Sequence, residues 1–156
     1  MTATQPTAFT HTNLYDEDFY LWIEVTAKQL KAGNFAEVDL DNLIEEIESM
    51  GRSEKRALKS NLLVVLMHLL KYKYQPEKRS NSWLSTIFEN RRRLKEVLTE
   101  SPSLRKFFSE VFNECYQDAR KQAALETGLN LETFPAECPF TTDECLNSDF
   151  LPEELK

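Results

Sequence analysis

The stretch LDNLIEEIESMGRSEKRALKSNLLVVLMHLLKYKYQPEKRSNSW, from Leu40 to Trp83, decides the fold of this chain of 156 residues. Between Leu62 and Leu70 every residue except His68 is apolar. A helix that is hydrophobic all round has to be surrounded, so this segment predicts the central post of a helical domain. Upstream, Leu40, Leu43, Ile44, Ile47 and Met50 recur at helical spacing behind Asp39, a good N-cap. Gly51 then predicts a helix end or a bend, with Ser53 as cap of a separate helix from about Glu54 to Tyr74. Pro76 stops that second helix, because it lacks an amide hydrogen and restricts the residue before it.

Working outward, an earlier helix is expected from near Asp16 to just before Gly33. Phe19, Trp22, Ile23, Ala27 and Leu30 would form its buried stripe. Residues 1–14 read as a loose N-terminus. On the other side, Ser80 or Ser82 can cap a helix that turns Trp83, Ile87, Leu94 and Val97 inward. Ser101-Pro102 closes it and opens the next helix with a Ser cap and Pro in the first turn. Leu104, Phe107, Phe108, Val111, Cys115 and Ala119 form the stripe of that helix, and Gly128 ends it.

Residues 130–156 change character. Three prolines exclude a long helix there, and Thr141-x-x-Glu144 is a capping-box pattern for one short one. Phe134, Phe140, Phe150 and Leu151 predict a tail laid over the bundle. Nothing reads as a strand. The expectation is a single all-α domain over residues 1–156, a bundle of about five helices with a largely irregular C-terminal tail packed on it.

Hydrophobic residues make up 41% of the chain, enough for a core that needs neither disulfide nor metal. The longest apolar run falls short of the about 20 residues that span a bilayer, so no membrane association is expected. The start, MTATQPTAFTHTN, has no basic segment followed by an apolar one, so no signal peptide is expected. Three cysteines, Cys115, Cys138 and Cys145, do not make a disulfide framework and point to a reduced, cytoplasmic protein.

Charge is strongly segregated. The chain carries a net −7, yet residues 52–95 hold twelve basic against three acidic residues. Residues 1–51 hold two basic and ten acidic residues, a net −8, and residues 96–156 are also at −8. Such asymmetry is a pointer to polyanion binding, or else to neutralisation of the basic middle by its acidic neighbours. An acidic whole repels a phosphate backbone at long range, which favours the second.

Several blocks together carry a family resemblance: YDEDFYLW, LDNLIEEIESMGRSEKRALKS, LMHLLKYKYQPEKRSNSW, SPSLR and the closing FPAECPFT and DFLPE. In this order they resemble the bacterial family called domain of unknown function 29, from Tyr15 to Glu153. The resemblance implies an all-α bundle. It implies no activity, cofactor or catalytic residue.

The chemistry in the sequence is sparse. Asp41, Glu45 and Glu48 align on one face, Arg52 continues their row, and with His68 they are the nearest thing to a metal site. They lack the Glu-x-x-His pairs of bundle di-metal centres, so an acidic, salt-bridged face is the simpler reading. Three isolated glycines (Gly33, Gly51, Gly128) exclude a glycine-rich phosphate loop. Cys138 and Cys145 lack nearby histidines and read as ordinary thiols. No catalytic residue, metal or cofactor is assigned.

From Lys71 to Lys95, cations alternate with Tyr72, Tyr74 and Trp83, the mixture that binds single-stranded nucleic acid. Candidate binding residues are therefore His68, Lys78, Arg79, Trp83, Arg92 and Arg93. Arg91 continues the inward Trp83–Ile87–Leu94 stripe and must be paired if buried, so an ion pair with Glu45 or Glu48 is expected. His68 is expected to be buried and bonded to a neighbouring helix or the 75–82 loop. The leading expectation is a non-enzymatic cytoplasmic module that binds another protein. The alternatives are RNA or single-stranded nucleic-acid binding through residues 71–95, and a metal-dependent hydrolase built on Asp41, Glu45, Glu48 and His68.

Overall fold

A computed structural model describes residues 14–153, all helix, turn and loop, with no strand among them. Of the expected loose N-terminus, residues 1–14, residues 1–13 lie outside the described residues and Leu14 opens a helical turn. The chain divides into two compact units, Met1–Arg52 and Ser53–Lys156. No helix among the described residues is long and apolar enough to cross a membrane.

In the first unit a helical turn over 14–17 leads into helix α1, Phe19–Lys31. Asp18, not Asp16, caps it, accepting from the Leu21 amide at 3.0 Å. Gly33, at φ 76°, lets the chain leave the helix in the left-handed region, as its position after the last periodic residue predicts. A 3₁₀ turn over Phe35–Glu37 then delivers Asp39 to the start of helix α2, Leu40–Tyr74.

α2 is one continuous helix of 35 residues, where the sequence predicts an end or a bend at Gly51 and a separate helix capped by Ser53. Gly51 sits in the helix without a positive φ, and a Cβ there would meet nothing. Glycine in a helix interior costs only about 1 kcal/mol, too little to end a helix of this length. Arg52 bonds Glu45 across the glycine at 2.7 Å and approaches Glu48 at 3.9 Å, so these two acids share their cation within the helix.

The second unit contains the core. Leu58, Leu62, Val65, Leu66, Leu69 and Leu70 of α2 are wholly buried, as the all-apolar run predicts. Helix α3, Asn81–Glu100, starts at Ser80, whose hydroxyl accepts from the Trp83 amide, and buries Ile87, Leu94 and Leu98. Helix α4, Leu104–Thr127, starts at Ser103 rather than with Pro102 in its first turn. The Leu104 and Arg105 amides bond the carbonyls of Ser101 and Pro102, a tight lead-in that delays the helix by two residues. Lys59 meets Glu114 and Lys71 meets Glu126, pairs of equal sequence separation, so α2 and α4 run parallel.

Gly128, at φ 73°, ends α4. The tail then crosses this unit. Helix α5, Thr142–Leu146, carries both halves of the Thr141–Glu144 capping box, and Phe134, Phe140 and Cys145 are buried while Phe150 packs against the core. Tyr116 donates its hydroxyl to the Pro135 carbonyl, Gln117 reaches the Ala136 carbonyl at 2.8 Å, and Arg120 bonds the Phe134 carbonyl at 2.9 Å. One face of α4 thus satisfies three successive tail carbonyls, as buried backbone requires.

Two expected outcomes follow from α2. Leu66→Ala removes a wholly buried side chain and should cost about 2–5 kcal/mol in urea unfolding. Gly51→Ala should stabilise the protein by about 0.5–1 kcal/mol, because the position is helical and open. Loss of stability at Gly51→Ala would show that the helix needs the glycine.

Candidate functional site

Most cations of residues 71–95 are committed within their own unit. Arg92 grips Glu89 with two hydrogen bonds, 2.7 and 3.2 Å, and reaches Glu96 at 3.0 Å. Arg93 adds a third bond to Glu89 at 3.1 Å. Hydrogen bonding from Arg92, joined by Arg93, pulls the Glu89 carboxyl down to about 2. Lys71 pairs with Glu126 at 3.0 Å and lies 4.7 Å above the Trp83 ring, so the tryptophan is the floor of a cation–π contact. Arg79 stacks 4.0 Å over Tyr72 and bonds its carbonyl, and Lys95 bonds the Ser148 hydroxyl. Lys78 is exposed.

Arg91 is inward, at 2% exposure, as the helical stripe predicts. Its partner is not a carboxylate. The guanidinium donates to the carbonyls of Glu144 at 3.1 Å, Cys145 at 3.0 Å and Phe150 at 2.8 Å. In place of the expected pair with Glu45 or Glu48, the guanidinium has three backbone oxygens, two in α5 and one four residues beyond it. Burial lowers the Arg91 pKa. Glu45 and Glu48 carry Arg52 instead.

His68 is half-buried, and its Nδ1 lies 2.9 Å from the Val64 carbonyl one turn back in α2. It needs no neighbouring helix or loop, contrary to expectation, because a helix offers its own carbonyls to a polar side chain. Burial lowers the imidazole pKa, with the Val64 bond opposing.

The metal arrangement does not assemble. No group of three or more possible ligands stands together among the described residues. The three thiols are free; burial pushes Cys115 and Cys138 up to about 11 and Cys145 higher still, which opposes both thiolate chemistry and metal ligation. A shallow apolar groove of about 360 Å³ lies along Lys121, Ala124, Leu125, Leu129 and Leu131, without the converging polar groups that orient small ligands.

The feature sequence reasoning missed is in the first unit, which is apolar on its outside. Trp22 and Thr26 are the buried residues of α1; Phe19, Ile23 and Leu30, expected in its buried stripe, are exposed. In α2, Leu40, Ile44, Ile47 and Met50 are exposed as well, Ile47 at 59%. What joins the two helices is aromatic and polar. Trp22 donates to Asp39 at 3.3 Å, Tyr15 donates to Glu46, and the Tyr15 ring meets Trp22 edge-on at 4.9 Å. The bond to Glu46 pushes the Tyr15 hydroxyl up to about 12.

The Trp22–Asp39 and Tyr15–Glu46 pairs make α1 and the start of α2 antiparallel. At about 100° per residue, Phe19, Ile23 and Leu30 then lie on the same side of this hairpin as Leu40, Ile44 and Ile47. The result is an apolar floor across both helices. A sequence signal was present: Asn42, Glu46 and Ser49 form a polar row on α2, and Glu46 of that row, not the aliphatic stripe, meets Tyr15 just before α1.

These features define an all-α chain made of a helical hairpin and a helical bundle with a clasped tail. The chain belongs to the family described as Domain of unknown function DUF29, whose model matches residues 14–151. No characterised protein and no solved structure matches it.

Arg91→Ala would leave three tail carbonyls without their donor and is expected to cost about 2–4 kcal/mol in thermal or urea unfolding. The double change Arg92→Ala with Arg93→Ala should stay within about 1 kcal/mol, since its ion pairs are exposed. Equal losses would show that the clasp does not hold the tail.

Proposed function

We propose that this chain is a non-catalytic module that binds another protein through the apolar floor of the α1–α2 hairpin. The observation that carries the reading is the inverted layout of the first unit. Its helices meet through an aromatic and hydrogen-bonded seam, while Phe19, Ile23, Leu30, Leu40, Ile44 and Ile47 face water. Contiguous exposed apolar surface of this kind marks interaction sites. Helix-in-groove recognition is a common way to cover it.

The nucleic-acid reading is weakened by the commitment of Lys71, Arg91, Arg92 and Arg93 to partners in their own unit. Trp83 is likewise engaged by Lys71 rather than offered to a base. A cytoplasmic setting fits the free thiols of Cys115, Cys138 and Cys145.

A photo-crosslinking residue placed at Ile47 tests the reading in extract of the native host, with Lys121 as the control position. A protein crosslinked from Ile47, absent from Lys121 and lost on Ile44→Glu is the expected result. A labelled mixed-sequence oligonucleotide near physiological salt should show no salt-sensitive binding. No Ile47-specific crosslink, or oligonucleotide binding that Arg92→Ala abolishes, would overturn it.

A further inference from the structure

The floor of the hairpin is set in an acidic unit, and that combination narrows what can occupy it. Residues 1–51 carry ten acidic and two basic residues, a net −8. On α2, Asp41 and Glu48 stand one step round the helix from Leu40, Ile44 and Ile47, and all of them are exposed. On α1, Glu24 is exposed beyond Ile23, and Asp16 and Glu17 are exposed just before the helix. Arg52 bonds Glu45 and lies 3.9 Å from Glu48, and among the described residues no ion pair reaches Asp41 or Glu24. The apolar strip is therefore bordered by carboxylates along α2 and at the start of α1.

We infer that the occupant is a cationic amphipathic helix of a partner protein, with an apolar stripe flanked by Lys and Arg. This deepens the protein-binding reading above and rests on it. Three arguments select that chemistry. A docked helix must supply apolar side chains at i, i+3, i+4 and i+7 to cover a floor formed by two antiparallel helices. Its flanks meet Asp41, Glu48 and Glu24, and complementary charge steers the encounter and fixes the register. A second copy of this chain would bring −8 against −8 at the same surface, so like charge opposes self-association. The same repulsion opposes an anionic membrane and nucleic acid.

The size of the floor suits such a partner. Six large apolar side chains, each about half exposed, offer on the order of 500 Å² for burial, enough for one helix but below the about 800 Å² per partner of a standard globular interface. A single helix can lie along the strip, since α1 and residues 40–50 of α2 each extend for about 17–20 Å.

Three synthetic peptides of about 18 residues test the inference by fluorescence anisotropy with the full chain. One has leucines on one helical face and lysines elsewhere; the second replaces lysine with glutamate; the third scrambles the first so that no apolar face forms. The Leu/Lys peptide should bind at least about tenfold tighter than either of the others. Ile44→Ser with Ile47→Ser should weaken it about tenfold or more, and circular dichroism should show the fold unchanged, because both side chains are exposed. Asp41→Asn with Glu48→Gln, which keeps the apolar floor, should weaken it several-fold and flatten its salt dependence.

Equal or tighter binding of the Leu/Glu peptide would overturn the cationic class while leaving protein docking on the floor intact. Binding of the scrambled peptide as tightly as the faced one would overturn the amphipathic requirement. A dimer of the protein alone that Ile44→Ser with Ile47→Ser dissolves would replace the partner helix by a second copy. Absence of floor-dependent binding by any peptide would also overturn the inference, and the crosslinking from Ile47 then decides separately whether the protein-binding reading survives.

Discussion

α2 runs unbroken for 35 residues, and its two ends use one apolar spacing differently. The spacing of Leu40, Ile44 and Ile47 recurs in Leu58, Leu62 and Val65, eighteen residues on. In the second set every side chain is buried; in the first every one is exposed. The same spacing thus serves as core in one unit and as surface in the other. The Tyr15 hydroxyl, just before α1, is met instead by Glu46, which sits about a third of a turn round from Leu40, Ile44 and Ile47.

The second constraint is electrostatic. A buried guanidinium needs its donors satisfied, and Arg91 meets that need from the backbone. Three carbonyls around α5 receive it, so a tail with few regular elements of its own is tied to α3 at a defined place. Arg120 and Tyr116 of α4 act on the preceding part of the tail in the same way. Because the tail is irregular, its carbonyls have no ladder to join. Long donors from neighbouring helices take the place of that ladder.

Much of this was legible in the residues, and the failures have physical causes. Ends were readable wherever one residue type does one job: Gly33 and Gly128 at left-handed positions, Pro76 after α2, a serine cap (Ser80 of the two offered), and the Thr141–Glu144 box. The core of α2 was readable because nothing but burial explains an apolar circumference. Periodicity also identified the apolar faces of α1 and early α2, but a period says which side is apolar, not whether anything covers it. The Arg91 partner was invisible because a carbonyl belongs to every residue and leaves no mark in a sequence. His68 misled for a related reason, since its acceptor is its own helix. Gly51 misled because glycine permits a break without requiring one.

Charge segregation looks different once the pairs are known. The basic middle suggested a polyanion site, yet its cations are drawn to acids of their own unit: Lys59 to Glu114, Lys71 to Glu126, Arg92 and Arg93 to Glu89. Neutralisation there is largely local, through exposed pairs that individually add little stability. The acids of residues 14–51 have no such supply, with Lys28 and Lys31 near the end of α1 and Arg52 at the far end of the acidic row. The unmatched charge of the protein is therefore negative, and it lies in the unit whose aliphatic side chains are uncovered. Both deficits, of apolar cover and of positive charge, fall on the same two helices, and a single amphipathic cation would relieve them together.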